Sequence, residues 1–176
     1  MIYLETKRLI FRDWKEQDLD EFRRMNQDPR VMKYFAKTLT EEETDQFYNR
    51  IQEEFRTYGY GLYAVETRQN NDFIGFIGFH WANFNSEFTP CIEIGWRLKQ
   101  EAWGNGYATE GARACLDYGF HTLGLNQIYS FTSKINTPSE HVMKKIGMVK
   151  VAEFEHPNIM EGNPLRKHVL YSIASS

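Results

Sequence analysis

The sequence predicts an α/β (α+β) fold: a mixed, mostly antiparallel central sheet of about seven strands, flanked by about four helices. Three observations point there. Residues 91–121 read as a strand, a glycine loop and a helix. Residues 60–66 and 73–81 read as the two strands of a hairpin, joined by the polar turn Arg68-Gln69-Asn70-Asn71-Asp72. Beyond them the order is strand, helix and two more strands. That order suits a sheet whose early part is antiparallel, with a parallel crossover only through the helix at 107–121.

The chain has 176 residues, a usual size for one domain, and is read as a single domain over 1–176. A hydrophobic share of 41% and a charged share of 26% describe a water-soluble globular chain. A net charge of −3 gives no basic footprint for nucleic acid. No stretch approaches a membrane span, and MIYLETKRLIF lacks the apolar run and cleavage site of a signal peptide, so a cytoplasmic location is expected. Cys91 and Cys115 offer neither metal-ligand spacing nor a redox pair and read as small core residues, and no metal site is expected.

In chain order, residues 7–12 (KRLIFR) read as a strand. A helix follows from about Trp14, with Leu19, Phe22 and Met25 on one face, and Asp28-Pro29 stops it. Residues 31–35 read as a short helical turn. Thr40 to Glu43 form a capping box for a helix whose apolar stripe is Phe47, Ile51, Phe55 and Tyr58, ended by Gly59. In the second hairpin strand, Gly75 and Gly78 suggest a bulge or a close backbone neighbour. Residues 82–90 form an irregular loop of Asn and Phe, able either to hold substrate or to pack down. Residues 127–133 read as a strand, Asn136 to Lys145 as a helix closed by Gly147, and 148–155 and 165–173 as the last strands.

The stretch 91–119 carries the chemistry. Trp103-Gly104-Asn105-Gly106 lies between a strand and a helix N-terminus. The first amides of a helix have no internal partner and sit at the positive end of its dipole, so a phosphate or pyrophosphate is the natural occupant. Tight packing alone also explains glycines in such a connector. Ala108, Gly111, Ala112, Cys115 and Gly119 form a small-residue face that lets the helix sit close to a sheet. Along the strand, Ile92, Ile94 and Trp96 share one face, and Cys91, Glu93, Gly95 and Arg97 the other, which suggests a polar cleft on the second face. There is no G-x-x-x-x-G-K-S/T. Thr109 stands where a dinucleotide fingerprint needs Gly or Ala, and the next strand ends without an acid, so an NAD enzyme is excluded.

EIGWRL followed by WGNGYATE resembles motif A of the GNAT acetyltransferase superfamily, and NTPSEHVMKKIGM adds a second match. The branch it is most similar to contains the ribosomal-protein N-terminal alanine acetyltransferases. The family's loop begins with Gln or Arg where this chain has Glu101. The resemblance implies the GNAT fold, with two parallel strands that splay apart around the pantetheine arm of acetyl-CoA. It implies an acyltransferase that moves acetyl from acetyl-CoA, as co-substrate, to a primary amine by direct attack in a ternary complex. The acceptor is a protein N-terminus or a small amine (amino acid, polyamine or amino-sugar antibiotic), and the enzyme a monomer or homodimer.

It further implies pyrophosphate contacts from the amides of Gly104, Asn105, Gly106, Tyr107, Ala108 and Thr109, and arm contacts from main-chain groups of Trp96, Arg97 and Leu98. An α-amine has a pKa of about 8 and a lysine of about 10.4, so a general base helps. Glu93 is the first candidate, or else an ordinary strand carboxylate in an ion pair; Glu161, His80, His156 and His168 follow. The family's usual tyrosine acid is replaced by Met143. Asn136 is expected to contact CoA and Ser139 to protonate the leaving thiolate, although both types also serve as helix caps. A chain that only binds acyl-CoA, as a sensor, is the alternative function.

Overall fold

A computed structural model describes residues 1–176. The strands are β1 (Ile2–Glu5), β2 (Leu9–Arg12), β3 (Leu62–Thr67), β4 (Phe73–Ala82), β5 (Cys91–Leu98), β6 (Gln127–Ser133), β7 (Val149–Glu155) and β8 (Lys167–Ala174). The helices are α1 (Asp18–Gln27), α2 (Glu41–Tyr58), α3 (Tyr107–His121) and α4 (Thr137–Lys145). The strands form one sheet in the order β1-β2-β3-β4-β5-β6-β8-β7. Every neighbouring pair is antiparallel except β5 and β6. This is the expected mixed sheet, with an eighth strand, Ile2–Glu5, added at the edge.

Of two local expectations, one holds and one shifts in its start. The segment 31–35 is the expected short helical turn, with the Met32 N–H on the Asp28 carbonyl (3.0 Å) and the Phe35 N–H on the Met32 carbonyl (3.0 Å). The first helix starts at Asp18 rather than near Trp14. Asp18 accepts from the Lys15 amide (2.7 Å) and both ends of the Arg12 guanidinium (2.8 and 3.0 Å), which ties the start of α1 to β2. Arg12 also donates to Glu66 on β3 (2.6 Å). The buried guanidinium is thus fully paired, which is what makes its burial tolerable.

Each sheet face has its own core. Ile77, Phe79, Ile94 and Leu98 pack against Ala112, Cys115 and Leu116 of α3. On the opposite face, Leu62, Ala64, Phe73 and Phe76 pack against Phe22 and Met25 of α1 and Ile51 of α2. The small-residue face of α3 does what its composition implies. A Cβ on Gly111 would lie 2.4 Å from Ile77 Cδ1, closer than carbon atoms approach, so any larger residue there would make Ile77 repack. At Gly75, φ is +137° and the β3–β4 register shifts beside it, between Val65 and Glu66, which is the expected bulge. The bulge leaves Phe76, Gly78 and His80 on the α1/α2 face of β4, opposite Arg97, Gly95 and Glu93 of β5.

Candidate active site

The parallel pair β5–β6 is joined at one register position, Glu93 with Tyr129. Next to it the Ser130 hydroxyl donates to the Ile94 carbonyl (3.0 Å), a side chain bridging strands that have begun to part. Beyond this point the edge of β5 from Gly95 to Leu98 pairs with no strand on the β6 side. A cavity of about 830 Å³ occupies the gap. It runs from the glycine loop, past the free edge of β5, to the α1/α2 face of the sheet.

At one end lies the loop. Gly104 and Gly106 take φ of +79° and +77°, and Gly106 is the N-terminal boundary of α3, with no side chain capping it. None of the six consecutive amides from Gly104 to Thr109 donates to a protein acceptor. Six unpaired N–H groups at the positive end of a helix make a site for an anion. The Asn105 side chain turns away from the cavity and donates to the carbonyls of Ala102 (3.1 Å) and Trp103 (3.2 Å), so it fastens the loop and can offer a ligand only its amide. Beside the loop, a second depression is lined by Arg8, Arg113 and Lys145 together with Glu110 and Asp117. Arg8 stacks over the Tyr107 ring (4.6 Å) and pairs with Glu110 (2.7 Å).

At the other end Glu93 faces the cavity. Burial raises its carboxyl to about 7; His80 opposes the rise and Glu54 adds to it. His80, its cross-strand neighbour, contacts Glu54 through Nδ1 (3.0 Å), and Glu54 also accepts from the Trp81 amide (2.9 Å). Burial pulls the imidazole down, but the bond to Glu54 and the charge of Glu93 outweigh it and hold His80 above its usual value. Glu54, Glu93 and His80 are therefore one coupled group, and Glu93 is its carboxylate that lines the cleft.

The structure brings together Glu93, Trp96, Arg97, Leu98, Gly104, Gly106, Tyr107, Ala108, Thr109, Asn136 and Ser139 around this cavity, with His80, His156 and His168. Glu161 does not line it. His156 is pushed down to about 4 by burial and by its neighbours His168 and Arg166, and burial lowers His168, so both are poor bases at neutral pH. They stack within an aromatic cluster with Phe84, Phe131 and Phe154, which settles that the 82–90 loop packs down. Asn136 accepts from the Ser139 amide (3.3 Å) and donates to Thr132 (2.9 Å), so its side chain caps α4. The buried Met143 adds no acid.

Sequence reasoning misses three participants. Glu54 stands among Phe47, Ile51, Phe55 and Tyr58 at helical spacing, and an acid on an apolar stripe is a readable signal. Ser130 has no such local signal, and for the Arg97 side chain alternation gives the face, shared with Glu93, but not its partners.

Residues 8–149 match the acetyltransferase (GNAT) domain family. Over 173 residues the chain is 32% identical to YnaD of Bacillus subtilis, described as an uncharacterized N-acetyltransferase, covering 98% of this chain and 96% of that protein. A solved GNAT-family acetyltransferase from Bacillus anthracis superposes with a TM-score of 0.80 at 31% identity, covering 99% and 98% of the two chains. The structure of RimL, a ribosomal L7/L12 alpha-N-protein acetyltransferase in complex with coenzyme A, superposes with a TM-score of 0.79 at 14% identity, covering 99% and 98%, a likeness of fold.

Proposed function

The chain belongs to the GNAT acetyltransferase family, and from that premise we propose that it moves an acetyl group from acetyl-CoA to a primary amine by direct attack in a ternary complex. The observation that carries this reading is one continuous cleft with six free amides at one end, an unpaired strand edge in the middle and a carboxylate of raised pKa at the other. The amides of Gly104 to Thr109 hold the pyrophosphate, and Arg8, Arg113 and Lys145 lie where the nucleotide's other phosphate can meet positive charge. The pantetheine arm lies along Trp96, Arg97 and Leu98 and hydrogen-bonds to their main chain as a partner strand would. A main-chain amide on that edge can polarise the thioester carbonyl.

The amine nitrogen attacks the thioester carbon, a C–N bond forms and the C–S bond breaks. Glu93 takes the proton that the amine loses. A base with a pKa of about 7 is half ionised near neutrality, so it can both accept that proton and release it to solvent. The thiolate leaves as such, or is stabilised by a hydrogen bond from Ser139, which relays a solvent proton to it and is reprotonated in the same step; the Ser139 hydroxyl makes no hydrogen bond within the protein and the residue lines the cavity.

The experiment is free-thiol release from acetyl-CoA across a panel of amines, with CoA binding by calorimetry alongside. Release with one amine class is expected. CoA binding with no release on any amine would overturn transfer in favour of acyl-CoA sensing.

A further inference from the structure

The acceptor end of the cleft contains a cation that the transfer chemistry does not use. Glu93, Gly95 and Arg97 alternate onto the same face of β5. Gly95 leaves bare backbone between the two charged side chains, since a Cβ there would meet nothing within 4 Å. The Arg97 side chain leans across this floor toward α1 and α2. Its Nη1 donates to Asn26 Oδ1 (2.8 Å), and its guanidinium lies over the rings of Phe35 (4.4 Å), Phe76 (5.3 Å) and Phe47 (5.5 Å). That bond to Asn26 is its one polar side-chain contact with the protein, and Nε is enclosed with no acceptor. No carboxylate comes within ion-pair distance. Burial accordingly lowers its pKa to about 10, with no acid offsetting the effect.

The contrast with Arg12 is instructive, because that guanidinium, more deeply buried, has two carboxylates, whereas half-buried Arg97 has none. A planar fork with unused donors, locked between rings, is built to meet a planar anion. The other ionised groups of the cavity agree. Arg30 and Lys33 also line it, Arg30 in an ion pair with Asp28 (3.0 Å); His156 and His168 are neutral, and Glu93 is the one carboxylate in the lining, with Glu54 held behind His80. A polyamine would bring several positive charges into a cleft lined by one carboxylate and by the acid-free guanidinium of Arg97.

We propose that the Arg97 side chain receives a carboxylate carried by the amine acceptor, so that the acceptor is a small amino-carboxylate rather than a polyamine. This rests on the transferase reading of the cleft and adds to it the class of the acceptor. The main chain of Arg97 serves the CoA arm; its side chain, on the sheet face toward α1 and α2, serves the acceptor. The amine sits between Glu93 and Arg97, above Gly95, with its carboxylate on the guanidinium.

The test pairs each amino acid with its own carboxamide: alanine, glutamate, β-alanine and 4-aminobutyrate, with spermidine as the polycation. Thiol release gives kcat/KM, and calorimetry on the CoA-loaded protein gives acceptor binding without turnover. For at least one pair the carboxylate is expected to lead by about 10- to 100-fold, the range of a charge-assisted hydrogen-bonded pair. The amide has the less basic amine, so intrinsic reactivity runs against this preference. Arg97→Gln is expected to bring the ratio to about one through KM, and Arg97→Lys, which keeps the charge and loses the fork, to restore part of it.

Carboxylate-selective binding without thiol release would uphold the receptor and overturn the transferase reading. Turnover with equal kcat/KM within every pair, a preference that survives Arg97→Gln, or spermidine as the best acceptor would overturn the receptor and leave the transferase standing. Loss of CoA affinity in Arg97→Gln with the acceptor ratio intact would also overturn it. Neither binding nor release with any of these amines would overturn both.

Discussion

Replacing Glu93 by Gln should make the protein more stable and less active, and the two effects share one cause. Burial raises this carboxyl to about 7 from its unfolded value of 4.5. Because the folded value is the higher one, the stabilising contribution is complete below about pH 4.5 and is lost as pH rises through about 7. Above that, the native state holds an ionised carboxylate in a poorly hydrated place. The gap corresponds to about 3 kcal/mol as an upper limit, reduced by whatever water the open cleft admits. Gln keeps the shape and carries no charge. At pH 8 the variant should therefore melt roughly 3–10 °C above the wild type, and the two curves should converge near pH 4 to 5. Over the same range the wild-type rate should rise along a limb with an apparent pKa of about 7, and this limb should vanish in the variant. Thermal melts from pH 4 to 9 and thiol-release rates from pH 5.5 to 9 read both effects. Parallel melting curves would refute the burial cost, and an unmoved rate limb would remove Glu93 as the base and leave His80, held by Glu54, as the group to test.

Two further expectations concern the frame of the site. Gly104→Val forces a β-branched residue to a φ of +79° and puts its methyl groups beside the free amides, so CoA affinity should fall at least about 10-fold by calorimetry; unchanged affinity would displace the pyrophosphate from this loop. Arg12→Met leaves buried Asp18 without a cation and Glu66 with only Lys15, at 3.9 Å, and should cost about 3–5 kcal/mol in urea unfolding, whereas a loss under about 1 kcal/mol would show that Lys15 or water takes over both acids.

What the sequence makes legible is local. The capping box at Thr40 and Glu43 forms as read, because its partners are three residues apart. The glycine loop and the small-residue face of α3 are legible because each is set by the backbone geometry of one element. Ile2–Glu5 escapes notice because a four-residue edge strand is defined by its pairing with β2 and not by a pattern of its own. The short turn at 31–35 is held by local bonds as read, and by the packing of Val31 and Met32 into the α1/α2 core.

Arg97 marks the boundary between these cases. Strand alternation is enough to place it on the same face as Glu93, and alternation gives the same answer for any basic residue there. What distinguishes it is the set of groups that does not arrive. Asn26, 71 residues away, supplies a neutral acceptor, and Phe35, Phe47 and Phe76 supply rings, while no acid is brought near. Leaving a charge buried and half-satisfied costs stability, and the same chain pairs Arg12 completely a few strands away. A fold that pairs buried Arg12 and leaves half-buried Arg97 without an acid concentrates the unspent hydrogen-bonding capacity in the cleft, where the proposed carboxylate would recover it on binding. The cost to the empty protein then becomes discrimination among acceptors, since an amine without a carboxylate leaves Arg97 as it found it.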